Sequence, residues 1–283
     1  MRLTQAGSGA PKSRIGITRL IILFYAFARE IAPFKRRLRN RTPLALGGLQ
    51  GFRATVAGKQ FVVVAHGIGH RRAAETAHRA FDLMPGAELV IGTGVVGALS
   101  SGLRPGDLVL SERVLTLDAD GRIDEQVTVV DEAHLRTVSR SLTHAGIAYS
   151  TGAILTSHRV LATGAEKRSA KEVTGAIAVD METAAIAAEA GARGLPFVAI
   201  RAVLDEVDDE VVGAAMADED GNVRPLAATS YLLRNPAAIL KLPQMMRNLS
   251  RATASIADAL SAIAHEGKIP NATKRAAAKK RPR

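Results

Sequence analysis

Short, almost uninterrupted apolar runs recur along this chain, and they constrain its fold more than any other feature. The clearest runs are "LIILFYA", "KQFVVVAHG", "AELVIGTG", "GDLVLSERVLTLD" and "PFVAIRAVLD". Helical patterns such as "RRAAETAHRAFDLM" and "DEAHLRTVSRSLTHAG" lie between or after them. Strands that are apolar throughout are typical of a mostly parallel sheet covered by helices on both faces. We therefore expect an α/β protein, a single domain with a mixed twisted central sheet flanked by helices.

Composition divides the chain into four parts. Residues 1–18 are rich in glycine, serine and basic residues, and we expect a disordered extension. Residues 19–225 carry the strand and helix patterns of the main domain. Apolar residues recur at helical spacing over residues 226–264, which predicts a C-terminal helical extension. Residues 265–283 form a basic, low-complexity tail that we also expect to be disordered.

The net charge of +11 is concentrated at the two ends of the chain. Residues 1–41 hold ten Lys or Arg and one acidic residue, and residues 265–283 hold seven and one. The 223 residues between them hold 21 basic and 25 acidic side chains. Basic ends favour anionic surfaces such as lipid headgroups. We expect no nucleic-acid partner, because the body is slightly acidic and aromatic residues, which form stacking platforms, make up only 4% of the chain.

Cysteine is absent, which excludes disulfides, a cysteine nucleophile and a thiolate metal site. His66, His70 and His78 are close in sequence, but a predicted strand–turn break separates the first two, and no H-E-x-x-H motif occurs. We therefore predict that the protein has no metal site.

The segment "RLIILFYAFA" is shorter than the roughly 20 apolar residues that span a bilayer. Two interpretations remain open from its residues alone. It is either a buried first strand or the hydrophobic region of a signal peptide, because Ala26-Phe27-Ala28 matches the small-x-small cleavage rule.

Glycines follow two of the predicted strands. Gly92, Gly94 and Gly97 match the G-x-G-x-x-G pattern of dinucleotide sites, which has to open a long helix. Here "ALSSGLRPGD" follows, and its glycines and proline interrupt such a helix. We therefore do not expect a nicotinamide cofactor. These glycines and "GIG" at 67–69 instead favour close approach of the backbone to a small ligand.

Three carboxylates, Asp180, Glu182 and Asp205, lie in or beside very apolar sequence, where burying an unpaired charge costs several kcal/mol, on the order of ~5. "AIAVD" is a predicted strand, and Glu182 begins the next helix, whose dipole favours its charge by about 0.3–1 kcal/mol. "PFVAIRAVLD" is another predicted strand and ends at Asp205. Open α/β sheets bind ligands at the carboxyl ends of their strands. The alternative is a helix cap and an unrelated loop acid.

"AVDMETAAIA", followed by "GLPFVAIRAVLD", resembles the signature of the nucleoside phosphorylase superfamily, of the purine/uridine phosphorylase type. It is nearest to the methylthioadenosine/S-adenosylhomocysteine nucleosidase branch. "GIG", "GTGVVGAL", "LRPGDLVLSE" and "AILTS" occur in the family's order, so the resemblance covers roughly residues 20–260. It implies cleavage of the N-glycosidic bond of an adenine nucleoside by a homodimer, without a metal or organic cofactor.

The resemblance also implies roles for individual residues. Asp205 would protonate purine N7 as a general acid, and Glu30 would activate water. Glu182 would accept hydrogen bonds from the ribose 2′- and 3′-hydroxyls, and Met181 would pack on the sugar. Cleavage after Ala28 would remove the strand that leads to Glu30, so we prefer the strand over the signal peptide. The other predicted substrate contacts are Gly94, Val95, Ile68, Gly69, Val160 and Leu161.

Three positions depart from the family pattern. Val95 stands where serine is frequent in phosphorolytic members, so we favour hydrolysis over a phosphate-dependent phosphorylase. Leu204 replaces the serine that usually precedes the catalytic aspartate, and Val160 replaces an aromatic residue that stacks on adenine. These two changes motivate a second alternative, a non-catalytic nucleoside-binding protein.

The stretch "LLRNPAAILKLPQMMRNLSRATASIADAL" resembles the tail of hopanoid-associated members, which remove adenine from adenosylhopane. With Pro236 and Pro243 as breaks, it predicts a helical hairpin that faces lipid; the alternative is an ordinary core or dimer helix pair. We expect a cytoplasmic protein that is associated with the inner membrane surface. The basic residues predicted to reach headgroups are Arg234, Lys241, Arg247 and Arg251.

Overall fold

Ten strands and six helices make up the part of the protein that the structure describes, which is residues 19–116, 128–211 and 236–266 of a computed structural model. The two predicted disordered ends lie outside this part, except for residues 265 and 266. The strands are β1 (Arg19–Tyr25), β2 (Thr42–Pro43), β3 (Gln50–Val56), β4 (Lys59–Ala65), β5 (Leu89–Ala98), β6 (Leu108–Thr116), β7 (Thr128–Val129), β8 (Ser150–Thr156), β9 (Ala178–Asp180) and β10 (Phe197–Asp205). The helices are α1 (Ala28–Arg37), α2 (His70–Leu83), α3 (Glu132–His144), α4 (Gly164–Thr174), α5 (Thr183–Gly191) and α6 (Pro236–His265).

All ten strands belong to one mixed sheet with β5 at its centre. β5 pairs in parallel with β1 and β10 and antiparallel with β9. On one side β1, β4, β3 and β2 follow in that order. On the other side the pairings β5–β10, β10–β6, β6–β8, β8–β9 and β9–β5 close into a ring of five strands. The predicted α/β class with a mixed central sheet and flanking helices is confirmed, whereas the closed ring was not foreseen.

The apolar run at the start of the described chain forms a buried central strand. β1 pairs with both β4 and β5, and its residues from Ile21 to Tyr25 are all buried. The Phe24 ring meets Phe81 of α2 edge-on, with centroids 5.6 Å apart. Its apolar side chains therefore pack on both faces of the sheet, as the unbroken hydrophobic pattern predicts.

The glycine motif lies inside a strand rather than at the start of a helix. β5 continues from Leu89 through Gly97 to Ala98, and a turn at residues 101–102 leads towards β6. This geometry agrees with the prediction that Gly92, Gly94 and Gly97 do not form a dinucleotide site.

The C-terminal extension is one helix of 30 residues, so the predicted hairpin is wrong. Pro236 is the first helical residue, where its missing N–H has no partner to lose. Pro243 lies inside the helix, at a cost of about 3 kcal/mol. Packing against α1 and β10 offsets that cost. The buried side chains of its second half include Ala252, Ile256, Ala257, Leu260 and Ile263.

This packing also answers what the helix faces. The apolar stripe of its second half belongs to the core, so the alternative of a core helix is correct for that half. Leu240 and Met246, in the first half, remain exposed. Arg234 lies outside the described residues. Within the described parts of the chain, no helix combines the length and apolarity needed to cross a bilayer.

Candidate active site

A cavity of about 250 Å³ opens where β1, β5 and β10 end, beside the first turns of α1, α4 and α5. This size is just below the range of typical small-molecule sites, which begins near ~300 Å³. Eight of the ten predicted site residues line it, and the other two, Gly69 and Gly94, lie directly behind lining residues. The cavity is lined by Ala26, Phe27, Glu30, Ile68, Val95, Val96, Gly97, Arg159, Val160, Leu161, Lys167, Val179, Asp180, Met181, Glu182, Leu204, Asp205 and Val211.

Glu30 is held at the start of α1 by backbone N–H groups. Its Oε2 accepts hydrogen bonds from the N–H groups of Ala26 at 2.7 Å and Phe27 at 3.2 Å, as a glutamate in a helix's first turn often does. Its Oε1 accepts one from the Val95 N–H at 2.9 Å. Burial raises the pKa of Glu30, although the Val95 N–H and the Arg201 guanidinium act against that rise. The side chain is therefore a fixed carboxyl group whose affinity for a proton is increased.

Gly94 provides the space in which Glu30 and Arg201 approach each other. Its φ of 143° is in the range that favours glycine. A Cβ at this position would lie 2.6 Å from Glu30 Oε1 and 2.6 Å from Arg201 Nη1. Gly94 does not line the cavity, so it supports the site from behind.

Glu182 is the N-cap residue of α5, and its side chain turns towards the loop before α2. Its Oε1 accepts a hydrogen bond from the Gly69 N–H at 2.8 Å. Gly69 has a φ of 103° at the N-cap of α2. Burial, together with the charge of Asp180, raises the pKa of Glu182 to about 7, while Arg201 and the Gly69 N–H oppose the shift. Glu182 is therefore close to half-protonated at neutral pH in the empty site.

Arg201 and Asp180 form a buried framework behind the acids. Asp180 accepts hydrogen bonds from Thr156 Oγ1 at 2.8 Å and from the Thr183 N–H at 3.2 Å. Arg201 donates to the Thr93 carbonyl at 2.8 Å and to Thr183 Oγ1 at 2.6 and 3.0 Å. Every polar group in this framework has a partner, which is the condition for burying charges at tolerable cost.

A β-bulge brings Asp205 to the cavity. The pairing of β10 with β5 shifts between Val203 and Asp205, so Leu204 is the extra residue. Bulges are frequent next to active sites because they redirect a side chain. Asp205 and Leu204 consequently line the same cavity, although neighbours in a regular strand point to opposite faces.

Lys167 is the charged partner of Asp205. Its Nζ forms an ion pair with Asp205 Oδ2, and its side chain is only 1% exposed. The Nζ also donates to the carbonyl oxygens of Glu206 at 2.7 Å and Asp209 at 3.0 Å. Burial raises the pKa of Asp205, and the Lys167 ammonium holds it lower than burial alone would. An acid with a raised pKa thus faces the same cavity as Glu30 and Glu182.

The other walls are mostly apolar. Val160 and Leu161, which follow β8, line the cavity at the place where we expected a ligand contact. Arg159 beside them is paired with Glu166, and that pairing is the main reason that the pKa of Glu166 falls to about 2. Met181 completes this wall next to Glu182.

The histidines do not form a metal site. His66 is buried, and burial lowers its pKa to about 3, so it is neutral. Its Nδ1 is 2.6 Å from the Gly67 carbonyl oxygen. His78 lies elsewhere, 3.2 Å from Glu189. The described residues contain no cluster of His, Cys, Asp and Glu suited to a metal ion.

The sequence analysis missed Arg201 and Lys167 and left Asp180 without a role. A charged residue inside the apolar strand "FVAIRAVLD" was a usable signal for Arg201, since such a residue needs buried acids. Lys167 gave no such signal, because it stands beside Arg168 in the polar helix "GAEKRSAKEVT".

Known proteins resemble this chain in sequence and fold. The chain is 30% identical to the 5′-methylthioadenosine/S-adenosylhomocysteine nucleosidase of Actinobacillus succinogenes over 222 residues, 72% of this chain and 90% of the relative. The nucleosidase of that name from Neisseria meningitidis, solved with methylthio-immucillin-A, has a TM-score of 0.67 at 23% identity, covering 87% of this chain and 98% of that one. A futalosine hydrolase mutant of Helicobacter pylori has a TM-score of 0.68 at 19% identity, covering 88% and 100%.

At the level of whole families, the profile of the phosphorylase superfamily matches residues 20–231. This range contains every residue described above as lining the cavity. The chain therefore belongs to the phosphorylase superfamily.

Proposed function

We propose that this chain is a nucleosidase that cleaves the N-glycosidic bond of an adenine nucleoside and releases adenine. The observation that carries the proposal is the placement of three carboxyl groups with different environments, Glu30, Glu182 and Asp205, around one cavity. Nucleosidases in the curated and structural comparisons act on such nucleosides by their names. The three acids supply the three functions that the reaction requires: a proton donor, a base and a ribose anchor.

Asp205 is the proton donor. Its raised pKa keeps a proton available, and transfer of this proton to purine N7 makes the base a better leaving group. The bond between C1′ and N9 then breaks, the electron pair goes to the purine, and positive charge develops on the ribose. General-acid catalysis of this kind contributes about 10²–10⁴-fold in rate.

Glu30 is the base that takes a proton from the attacking water. Its Oε1 accepts one hydrogen bond, from the Val95 N–H, and a carboxylate oxygen has about two acceptor positions. One position therefore remains for a water molecule. Oxygen from that water bonds to C1′ while its proton passes to Glu30, which completes the hydrolysis.

Glu182 and Met181 hold the sugar. Glu182 Oε2 has no hydrogen-bond partner among the described residues, and Oε1 is engaged by the Gly69 N–H. An ionised carboxylate only accepts hydrogen bonds, so it suits two neighbouring hydroxyl donors such as the ribose diol. Met181 adds an apolar, adaptable contact beside it.

Hydrolysis is favoured over phosphorolysis by the pairing of the cations around the cavity. Lys167 is paired with Asp205 and Arg159 with Glu166, so among the described lining residues neither cation is left for phosphate. Arg201 behind the cavity is paired with Asp180. Val95 contributes an apolar side chain, and its N–H is already bonded to Glu30.

The decisive experiment measures free adenine after incubating purified protein with methylthioadenosine, S-adenosylhomocysteine or an adenosylated lipid such as adenosylhopane. Each substrate is tested with and without phosphate. We expect adenine and the free sugar without phosphate. Strict dependence on phosphate, with a sugar phosphate as product, would establish a phosphorylase instead. Binding without release of adenine from any substrate would favour the non-catalytic alternative.

A homodimer, a cytoplasmic location and a role at the inner membrane surface in hopanoid metabolism remain predictions. The exposed side chains of Leu240 and Met246 on α6, with Arg29 donating to Met246 Sδ at 3.4 Å, support an apolar surface edged by positive charge. Co-sedimentation with anionic phospholipid vesicles, compared between wild type and Leu240→Ser/Met246→Ser, tests the membrane prediction. Light scattering after gel filtration tests the dimer.

A further inference from the structure

We propose that Lys167 is a positioning residue for Asp205: its ammonium group fixes the carboxyl group at the cavity wall and stabilises the anion that remains once Asp205 has given its proton to the substrate. The inference rests on the proposed function, because it assigns a role to Lys167 only if Asp205 is the acid. It adds a residue that the sequence pattern did not single out.

The surroundings of Lys167 account for all three of its N–H bonds. One goes to Asp205 Oδ2, one to the Glu206 carbonyl and one to the Asp209 carbonyl. Glu206 and Asp209 belong to the turn after β10, in which the Glu206 N–H donates to Asp209 Oδ2 at 2.9 Å. A single ammonium group thus ties together the end of β10, the turn that follows it and α4.

The position of Lys167 within its helix is unfavourable unless it serves such a purpose. α4 begins after Thr163, whose Oγ1 accepts a hydrogen bond from the Glu166 N–H at 3.3 Å. Lys167 is the fourth residue of this helix, close to the positive end of the helix dipole, where a cation is disfavoured. It is also buried, which adds a cost of desolvation. Asp205 and the two carbonyl groups are the interactions that offset both costs.

The contacts of Asp205 leave one of its oxygens for substrate. Oδ2 is bonded to Lys167 and would lie 3.1 Å from a Cβ added at Gly97, so it is held on the protein side. Oδ1 has no hydrogen-bond partner among the described residues. Leu204, the preceding residue, carries no polar group that would orient the carboxyl. Lys167 is therefore the side chain that sets the direction of the acid.

Lys167 also changes the strength of the acid. When the O–H bond of Asp205 breaks and the proton bonds to purine N7, the carboxyl becomes a carboxylate beside the ammonium group. The attraction between these opposite charges stabilises the state after proton transfer and makes Asp205 a stronger acid than burial alone would allow. Without the lysine, burial would hold the proton too firmly.

The test is the pH profile of kcat/KM for adenine release in Lys167→Met. Activity requires protonated Asp205, so the rate falls as pH rises through the pKa of this group. Removing the positive charge raises that pKa, and the alkaline limb should move to higher pH by about 1–3 units, the range for an opposite charge in contact. The maximum rate should fall at least tenfold. Lys167→Arg, which keeps the charge but not the three hydrogen bonds, should leave the limb in place while lowering the maximum.

Two comparisons separate this role from a structural one. Lys171→Met is the matched control, because Lys171 lies on the same helix and donates to the Gly175 carbonyl, away from the cavity. Asp205→Asn combined with Lys167→Met should be no less active than Asp205→Asn alone, because the lysine acts through the aspartate. Thermal unfolding identifies any variant that has lost its fold.

The outcomes distinguish the two proposals. An alkaline limb that stays in place in Lys167→Met, or additive losses in the double variant, would overturn the role of Lys167 while leaving Asp205 as the acid. Full activity of Asp205→Asn alone would overturn the proposed function itself.

Discussion

Arg201 Nη2 lies 2.8 Å from Asp180 Oδ2, and the two side chains are 0% and 1% exposed. This ion pair joins β10 to β9, the two strands that lead to Asp205 and Glu182. Charges buried this deeply are stable only as a pair, since an unpaired one loses hydration without replacement. The framework thereby couples the position of the proposed proton donor to that of the proposed ribose anchor.

Arg201→Met should strongly destabilise the protein. The change leaves Asp180 as an unpaired buried carboxylate and removes donors from Thr93 and Thr183, so we expect a loss of about 3–5 kcal/mol in the free energy of unfolding. Denaturant titration measures it. Arg136→Met is the control, because its pair with Glu132 is exposed and should matter far less. Equal losses in both variants would contradict the assigned importance of the buried pair.

Asp205→Asn should abolish most adenine release while the nucleoside still binds. Asparagine nearly preserves the shape but has no acidic proton, so kcat should fall about 10²–10⁴-fold. Steady-state kinetics and equilibrium dialysis with a nucleoside analogue measure the two effects. A variant that loses binding but keeps kcat would place Asp205 in recognition rather than catalysis.

Nucleoside binding should weaken as pH falls through about 7. Glu182 has a pKa of about 7, and the ribose diol prefers its ionised form, which only accepts hydrogen bonds. The Kd of a non-hydrolysable adenine nucleoside should therefore rise up to about tenfold for each pH unit below 7 and level off above it. Calorimetry in buffers of different ionisation enthalpy should also detect proton release on binding near neutral pH.

Glu182→Gln is the control for this pH dependence. Glutamine cannot titrate, so its Kd should be weaker than that of the wild type at high pH and nearly constant between pH 6 and ~8. An unchanged pH dependence in Glu182→Gln would assign the titration to another group.

Gly94→Ala should lower both stability and activity. The new Cβ would lie 2.6 Å from Glu30 Oε1 and Arg201 Nη1, at a φ of 143° that disfavours any side chain. Strain of this kind costs about 1–3 kcal/mol, and displacement of Glu30 should reduce kcat as well. Gly86→Ala is the matched control, since a Cβ there meets nothing within 4 Å. A fully active and stable Gly94→Ala would show that this close approach is dispensable.

Much of the fold follows from local sequence patterns, and the remainder depends on distant contacts. Unbroken apolar strands specify a buried mixed sheet, and the strand from Arg19 to Tyr25 is correctly identified by its pattern. The final helix shows the limit. Pro243 is a valid local signal for a break, but packing against α1 and β10 keeps the helix continuous. No sequence pattern records this packing energy.

The site divides in a similar way. Glu30, Glu182 and Asp205 are recognisable because each follows a strand in a family-like motif, and they line one cavity. Lys167 is not recognisable, since its partners are Asp205 and carbonyl groups about forty residues further along the chain. The bulge at Leu204 is equally hidden, because its existence depends on the register against β5.

The ring formed by β5, β10, β6, β8 and β9 has a consequence for how this protein can change over evolution. A strand within a closed circuit has no free edge along which to slide, so an insertion in one of the five would have to be absorbed by all of them. Insertions and deletions should therefore accumulate in the connecting loops, while strand lengths stay constant among relatives that retain the chemistry. New substrate preferences would then arise from the loops that cover the cavity and not from the ring beneath it.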